Sequence, residues 1–501
     1  MSGCNSFNFY VMLKWLLGAV FTLGSMLALL AQPPGKPNII YIYADDLGYG
    51  ELGCYGQQHI KTPNIDALAA EGMRFTRHYA AAPVCAPSRA ALMTGYHTGH
   101  AYIRGNYELG GFEDEKEGGQ MPLPEGTFTL GHMLRQSGYV TGLFGKWGLG
   151  MHYSTGSPLK QGFDYYFGYL DQKQAHNHYP THLWENDKPV RLNNKYAYVH
   201  KAIDSAKAQK ADYAMFEGEE YAGDLITKKA VHFMDSLQHK PFFMYVAYTT
   251  PHLSLQVPAK WLQPYLGRFP ERPYYGQFGY AAHPYPMSAY AAMITHLDTQ
   301  VGIIMQQLKV LGLDGNTLVM FSSDNGATFH RSVDVNYFKS NSSLRGYKMD
   351  VYEGGIRIPM IARWPGSINP STVTNRLTAQ YDVIATLKEL SGGSAVHADG
   401  QSFLKVLKGE AEKSPKEYVY VEYPENGGQL AVVMNDWKAV KRNLKNYRLA
   451  QWELYYLPGD EAEQKDVAAQ HPDIISRVNA IVQKEHRPAH IREWEFINPL
   501  H

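Results

Sequence analysis

The chain has 501 residues, 45% hydrophobic and 19% charged, a balance that supports a large folded core and excludes an extensively disordered protein. Lys plus Arg and Asp plus Glu stand at 47 each, so the formal net charge is zero. No global field draws in nucleic acid or an anionic membrane, and any anion site must be assembled locally.

The chain opens with a single basic residue, Lys14, then an apolar run over residues 15–30 that ends near the small residues Ala28 and Ala31. This pattern predicts a signal peptide over residues 1–31 and export to the periplasm or the exterior. An uncleaved anchor is the alternative, because the run is near the lower limit for spanning a bilayer. Cys4 precedes the run and is not the lipidated cysteine that would follow one. Only Cys54 and Cys85 remain beyond it, which excludes a disulfide framework but not one bridge between the two.

Residues 38–43 (NIIYIY) read as a buried strand that stops at Asp45-Asp46-Leu-Gly-Tyr-Gly. A short helix follows over 64–72. Another is expected to start near Cys85, with Pro87 at its first position and Gly95 ending it. Residues 130–137 predict a helix, and 139–144 a strand ending at Gly145-Lys146-Trp147. A helix over 221–237, a strand over 241–248, a helix over 293–311 and a strand over 317–322 come next, the last running into Ser323-Asp324-Asn325-Gly326. This alternation predicts an α/β fold with a mainly parallel sheet sandwiched by helices, and ligands bind beyond the carboxyl ends of such strands. After about residue 412 the pattern changes to short strands over 418–422, 429–434, 437–441 and 454–457 and a last helix over 472–485. That predicts a smaller antiparallel α+β subdomain over 413–501 beside a main domain over 32–412.

Asp45 and Asp46 end one buried strand, and Asp324 and Asn325 end another. Together they offer hard oxygen donors, which suit Ca2+ or Mg2+. Clustered carboxylates repel unless a cation or protons neutralise them, although an Asp pair at a strand end is also a common turn or cap. Cys85 sits at the positive end of a helix with Arg89 four residues on, where an anion or an activated thiol is favoured. An inert, half-buried cysteine is the bland alternative. A soft thiolate ligates such a metal poorly, so a harder group at position 85 is attractive. Lys146, His252 and Lys348 supply cations and a candidate proton donor.

The run Cys85-Ala-Pro-Ser-Arg89, with Leu92-Met-Thr-Gly95, resembles the sulfatase signature in which the cysteine is oxidised to formylglycine. Asp45-Asp46-Leu-Gly-Tyr-Gly, Lys61-Thr-Pro-Asn-Ile-Asp66, Gly145-Lys-Trp, Pro251-His252, Ser323-Asp-Asn-Gly326 and the stretch from Gly346 to Trp364-Pro-Gly resemble sulfatase motifs in the family's order. The resemblance runs from about residue 37 to the tail, where Leu454-Tyr-Tyr-Leu resembles the family's closing strand. It implies an alkaline-phosphatase-like fold and hydrolysis of sulfate esters. It further implies Ca2+ held by Asp45, Asp46, Asp324, Asn325 and the formylglycine made from Cys85. In the implied mechanism the hydrated aldehyde attacks sulfur, while Arg89, Lys146 and Lys348 hold the charge. His252 protonates the leaving alcohol, and a formylglycine-generating or anaerobic sulfatase-maturing enzyme is the implied partner for Cys85.

One position departs from the family: Gly148 stands where many sulfatases carry a histidine thought to assist the aldehyde hydrate, and His152 is the sequence's candidate to replace it. Residues 145–150, with Gln174-Ala-His176-Asn177 and Thr181-His-Leu-Trp184, resemble a bacterial subset acting on sulfated galactose or N-acetylgalactosamine. That implies sugar contacts at His176 and Asn177; the segment 97–106 adds His100 and Arg104 as candidates. An arginine that the subset often carries near Val433 is absent. The alternatives are a phosphonate monoester or phosphodiester hydrolase of the same superfamily and a catalytically silent glycan-binding protein.

Overall fold

The structure is a computed structural model that describes residues 35–498 except 238, 329–330, 394–396 and 447; the expected signal peptide over 1–31 lies outside the described residues. Strand Asn38–Asp45 is buried at every position because it lies inside an eleven-stranded sheet. It pairs in parallel with Thr317–Ser323 on one side and Phe242–Pro251 on the other. Val140–Lys146 and Tyr165–Tyr169 continue the parallel set. Antiparallel pairing begins outside it, with Arg357–Arg363 at one end and the hairpin of His182–Glu185 and Lys188–Arg191 at the other. The mainly parallel sheet expected from the alternation is therefore present.

Side chains of a strand alternate between faces, and here both faces are covered. Ile40, Ile42 and Ala44 enter one core with helices Ala222–Ser236 and Pro286–Val310. Ile39, Tyr41 and Tyr43 enter the other, beneath Cys85–Thr94, Leu130–Gln136 and Val383–Ser391. Helix Pro286–Val310 starts well before the expected residue 293. Its first amides, at Met287 and Ser288, donate to the Glu271 carboxylate at 3.0 and 2.8 Å, a cap supplied from outside the helix. No helix among the described residues is long and apolar enough to cross a membrane.

The later strands Tyr418–Tyr423, Gln429–Met434, Trp437–Arg442 and Trp452–Tyr456 form a separate antiparallel sheet, in the order of the chain. One face packs under helix Pro472–Glu485. The other contributes Val419, Val421, Ala431 and Val433 to a core shared with Tyr79, Ala81, Val84 and Ala91. The second sheet thus braces the segment that carries Cys85. Behind it Lys438, 0% exposed, lies 3.0 Å from Glu353 and 3.1 Å from Glu463.

Burial also sets a pH dependence. It lowers His78 to about 3 and His178 to about 4, so both are neutral in the folded chain. An unfolded histidine titrates near 6.5, so the unfolded chain binds more protons below that value and stability falls as pH drops from about 6.5 toward 4. Each unit of descent costs up to about 1.4 kcal/mol per buried imidazole. Melting temperatures from pH 7.5 to 4.5 should fall most steeply below 6.5; a flat profile would contradict this account.

Candidate active site

The carboxyl ends of the central strands converge on one polar cluster. Asp45 is the last residue of its strand, and Asp46 follows with φ at 62°, a left-handed conformation that turns the second carboxylate back toward the first. The Asp46 amide donates to Asp324 Oδ1 at 3.0 Å, and Asn325 Nδ2 donates to Asp46 Oδ1 at 2.8 Å. Gln380, which sequence reasoning did not single out, steadies this turn by donating to the carbonyls of Ser323 and Asp324 at 2.9 and 3.1 Å.

Cys85 is the first residue of helix Cys85–Thr94, so Pro87 stands third rather than first; Gly95, at φ 78°, ends the helix as expected. Asn106 Oδ1 accepts the Ala86 amide at 3.0 Å. The Cys85 thiol lies 3.4 Å from Asp45 Oδ1 and 3.6 Å from Lys348 Nζ. The loop bearing Lys348 is tied down by amides of Lys348 and Met349, which donate to Ala327 and Pro83 carbonyls, each at 2.9 Å.

The carboxylates are matched by cations. Lys146 Nζ is 2.7 Å from Asp45, Lys348 Nζ 3.0 Å from Asp46, and Arg89 2.8 Å from Asp324 and 3.6 Å from Asp45. Burial opposes ionisation of Asp45, but Lys146, His252 and Arg89 hold its carboxyl well below the usual range. Asp324, buried and beside Asp45, is pushed up to about 7. Burial and the neighbouring Asp324 push the Cys85 thiol well above its ordinary value, which disfavours a simple thiolate nucleophile. His252 donates Nδ1–H to the Leu253 carbonyl at 2.5 Å and turns Nε2 toward Asp46, 3.6 Å away. Burial and Lys348 lower it to about 4.

The donor set fits a hard divalent cation. Asn325 Oδ1 is buried without a hydrogen-bond partner, an orphaned acceptor of the kind a metal satisfies. Ligand atoms of Asp45, Asp46, Cys85 and His252 lie within 4.8 Å of one another. With a divalent ion added to the balanced acids and bases, the site becomes net positive and suited to an anion.

Of the expected sugar contacts, His176 stacks on His252, centroids 4.9 Å apart and planes at 14°. Asn177 lies beside it, with Oδ1 taken by the Tyr179 amide and Gln256 Nε2 at 3.0 and 3.1 Å. The structure bonds His100 and Arg104 elsewhere. Arg104 donates to Glu422 at 3.2 Å and to carbonyls of Ala101, Gly99 and Arg487, leaving no guanidinium edge for a ligand. His100 pairs with Asp399 at 2.8 Å. His152 stacks on Trp184 at 4.3 Å, not on the cluster.

Gln172, unmarked in the sequence, fills the space beside Gly148. A Cβ at position 148 would come within 2.5 Å of Gln172 Cγ, and Gly148 has φ +74°. We expect Gly148→Ala to cost about 1–3 kcal/mol of stability, and Gln172→Gly added to it to recover part of the loss, both read by denaturant unfolding. An unchanged midpoint in the single variant would refute the crowding.

A family model described as Sulfatase matches residues 37–393. The chain belongs to the sulfatase family. A second model, described as N-sulphoglucosamine sulphohydrolase, C-terminal, matches residues 347–487. The sulfatase is 30% identical over 523 residues to the N-acetylgalactosamine-6-O-sulfatase of Bacteroides thetaiotaomicron, covering 90% of this chain and 93% of that one. It is 31% identical over 434 residues to the N-acetylgalactosamine-6-sulfatase of Mus musculus, covering 84% and 75%. The crystal structure of Ps i-CgsB in complex with k-i-k-neocarrahexaose superposes with a TM-score of 0.72 at 27% identity, over 90% of this chain and 93% of that one. The sulfatase is a sulfuric ester hydrolase.

Proposed function

We propose that this sulfatase is exported and removes O-sulfate from galactose or N-acetylgalactosamine units of a sulfated polysaccharide, using formylglycine made from Cys85 and Ca2+ held by Asp45, Asp46, Asp324 and Asn325. The observation that carries the reading is the meeting of position 85, 3.4 Å from Asp45 and 3.6 Å from Lys348, with oxygen donors from distant strand ends. The names of the relatives support sulfated sugars as the substrate class.

Ca2+, when bound, would leave the site net positive and would withdraw charge from the sulfuryl oxygens. Formylglycine made from Cys85 would, as its hydrate, supply one hydroxyl for attack and a second through which sulfate could be released. In net terms water is consumed, the sulfur–oxygen bond breaks, and the sugar oxygen leaves with a proton. Lys146 and Lys348 flank position 85 and hold the sulfuryl group in place. Arg89 is committed to Asp324 and to the Lys146 carbonyl at 2.9 Å, so it fixes the carboxylates and the lysine strand. His252, whose Nε2 is turned into the cluster 3.6 Å from Asp46, is the group to protonate the leaving oxygen; an incoming anion would offset the effect of Lys348 and favour the imidazolium that donates the proton.

Two measurements test this reading. Peptide mass spectrometry should find aldehyde at position 85, and the protein should hydrolyse 4-nitrophenyl sulfate faster than bis(4-nitrophenyl) phosphate, with preference among sulfated monosaccharides for galactose or N-acetylgalactosamine 6- or 4-sulfate. Faster phosphodiester turnover would favour the phosphohydrolase alternative, and no turnover of either the glycan-binding one. Chelation by EGTA should abolish activity and lower the melting temperature, and added Ca2+ should restore both; full activity after chelation would remove the metal from the scheme.

A further inference from the structure

The hairpin of Glu108–Gly110 and Glu117–Gln120 projects beside the active site and is held from beneath by one buried carboxylate. Asp171 accepts the amides of Gly118 and Gly119 at 3.1 and 2.7 Å and Gln120 Nε2 at 3.1 Å. Lys173, 3% exposed, reaches the Leu109 carbonyl and lies 3.5 Å from Glu108. A hairpin so anchored holds its turn residue, Phe112, in a fixed place although that ring is 40% exposed.

From Phe112 a row of rings runs inward to the proton donor. Phe112 is 4.3 Å from His200, and His200 is 5.2 Å from His176, to which it is also hydrogen-bonded at 3.1 Å. His176 in turn stacks on His252. Tyr280, held at φ 66°, lies 5.1 Å from His176 and 5.3 Å from His200, and Tyr198 lies 5.8 Å from His200. Exposure climbs along the row, from 3% at His252 to 36% at Tyr198 and 40% at Phe112. The row therefore leads from the point where the sugar oxygen departs out to solvent.

We propose that His200, Phe112 and Tyr198 form a subsite for the sugar unit linked to the sulfated one, so that the enzyme engages a glycan chain rather than a free monosaccharide. This rests on the sulfated-glycan reading above and adds the residues beyond the reacting unit. An aryl sulfate or a single sugar reaches only the inner end of the row. The apolar C–H face of the next pyranose covers exposed aromatic faces that otherwise remain hydrated, and ring walls with few polar groups are what sugar-sized ligands use. The wall is continuous with the reacting centre, where Lys348 faces Tyr280 and His176, and Lys173 beneath the hairpin is taken up by the Leu109 carbonyl and Glu108.

The test uses the whole protein and three probes: 4-nitrophenyl sulfate, N-acetylgalactosamine 6-sulfate and a chondroitin 6-sulfate tetrasaccharide. The tetrasaccharide should inhibit 4-nitrophenyl sulfate hydrolysis at a concentration at least about tenfold below the monosaccharide. Phe112→Ala and Tyr198→Ala, at exposed positions, should each cut that ratio by about three- to tenfold, through the inhibition constant of the tetrasaccharide. Equal inhibition by the two sugars, inhibition by neither, or a ratio unchanged in both variants overturns the proposal while leaving sulfatase activity intact. Failure of the wild-type protein to hydrolyse 4-nitrophenyl sulfate is the separate result that removes the functional reading and this proposal with it.

Discussion

Cys85→Ser should yield a folded protein with no catalytic turnover of 4-nitrophenyl sulfate, a loss of at least about three orders of magnitude in kcat. The thiol is 2% exposed, so a serine of similar size fits without a cavity. A serine in this place offers one hydroxyl and cannot release bound sulfate by reforming an aldehyde. Its melting curve should stay close to the wild type, and intact-mass analysis after incubation with substrate should show either no adduct or one stable sulfate. Sustained multiple turnover by the serine variant would sink the formylglycine scheme while leaving the fold and the sulfatase assignment in place.

The largest stability effect is expected at Lys438→Met. The ammonium, 0% exposed, is shared between Glu353 at 3.0 Å and Glu463 at 3.1 Å. Burial already pushes Glu463 up to about 7, while Lys438 and Arg357 overcome burial to hold Glu353 below its ordinary value. Removing the lysine leaves two buried carboxyls face to face, at a cost of about 3–5 kcal/mol. Adding Glu353→Gln and Glu463→Gln should return much of it, since the uncompensated charge then disappears. Denaturant midpoints for the single and triple variants decide this; a single variant within about 1 kcal/mol of wild type would show that the ammonium is replaceable. Activity should fall with stability, because Glu353 follows the loop that presents Lys348.

The central sheet was legible where the chain itself carries the pattern. The uniformly apolar run at Asn38–Asp45 can be buried only on two sides, and the short alternating runs after residue 412 paired where expected. Strands Met73–Tyr79 and Arg357–Arg363 carry arginines that interrupt the apolar pattern; Arg357 and Arg363 are buried all the same, because Arg357 Nε donates to the Thr76 carbonyl at 2.6 Å and Arg363 pairs with Glu71 and Asp314, partners no local pattern reveals. Helix Pro286–Val310 was read short because its cap, Glu271, comes from outside it. The residues that meet around Asp45 and Cys85 are legible in the sequence because paired acids are chemically unusual at strand ends. The segment 97–106 offers His100 and Arg104 as sugar contacts but carries no sign of Asp399 and Glu422, with which the structure pairs them. Gln172 and His200 carried no local signal, since their importance lies in what they stand beside.

The depth of Cys85 has a consequence for the order of events as the protein is made. With its thiol sealed under Asp45 and Lys348 and its helix braced by a sheet drawn from residues beyond 418, no second enzyme can close around that side chain in the finished molecule. The conversion of Cys85 proposed above would therefore have to precede folding, so the time open to a maturing enzyme would be set by how quickly the C-terminal sheet docks against the helix.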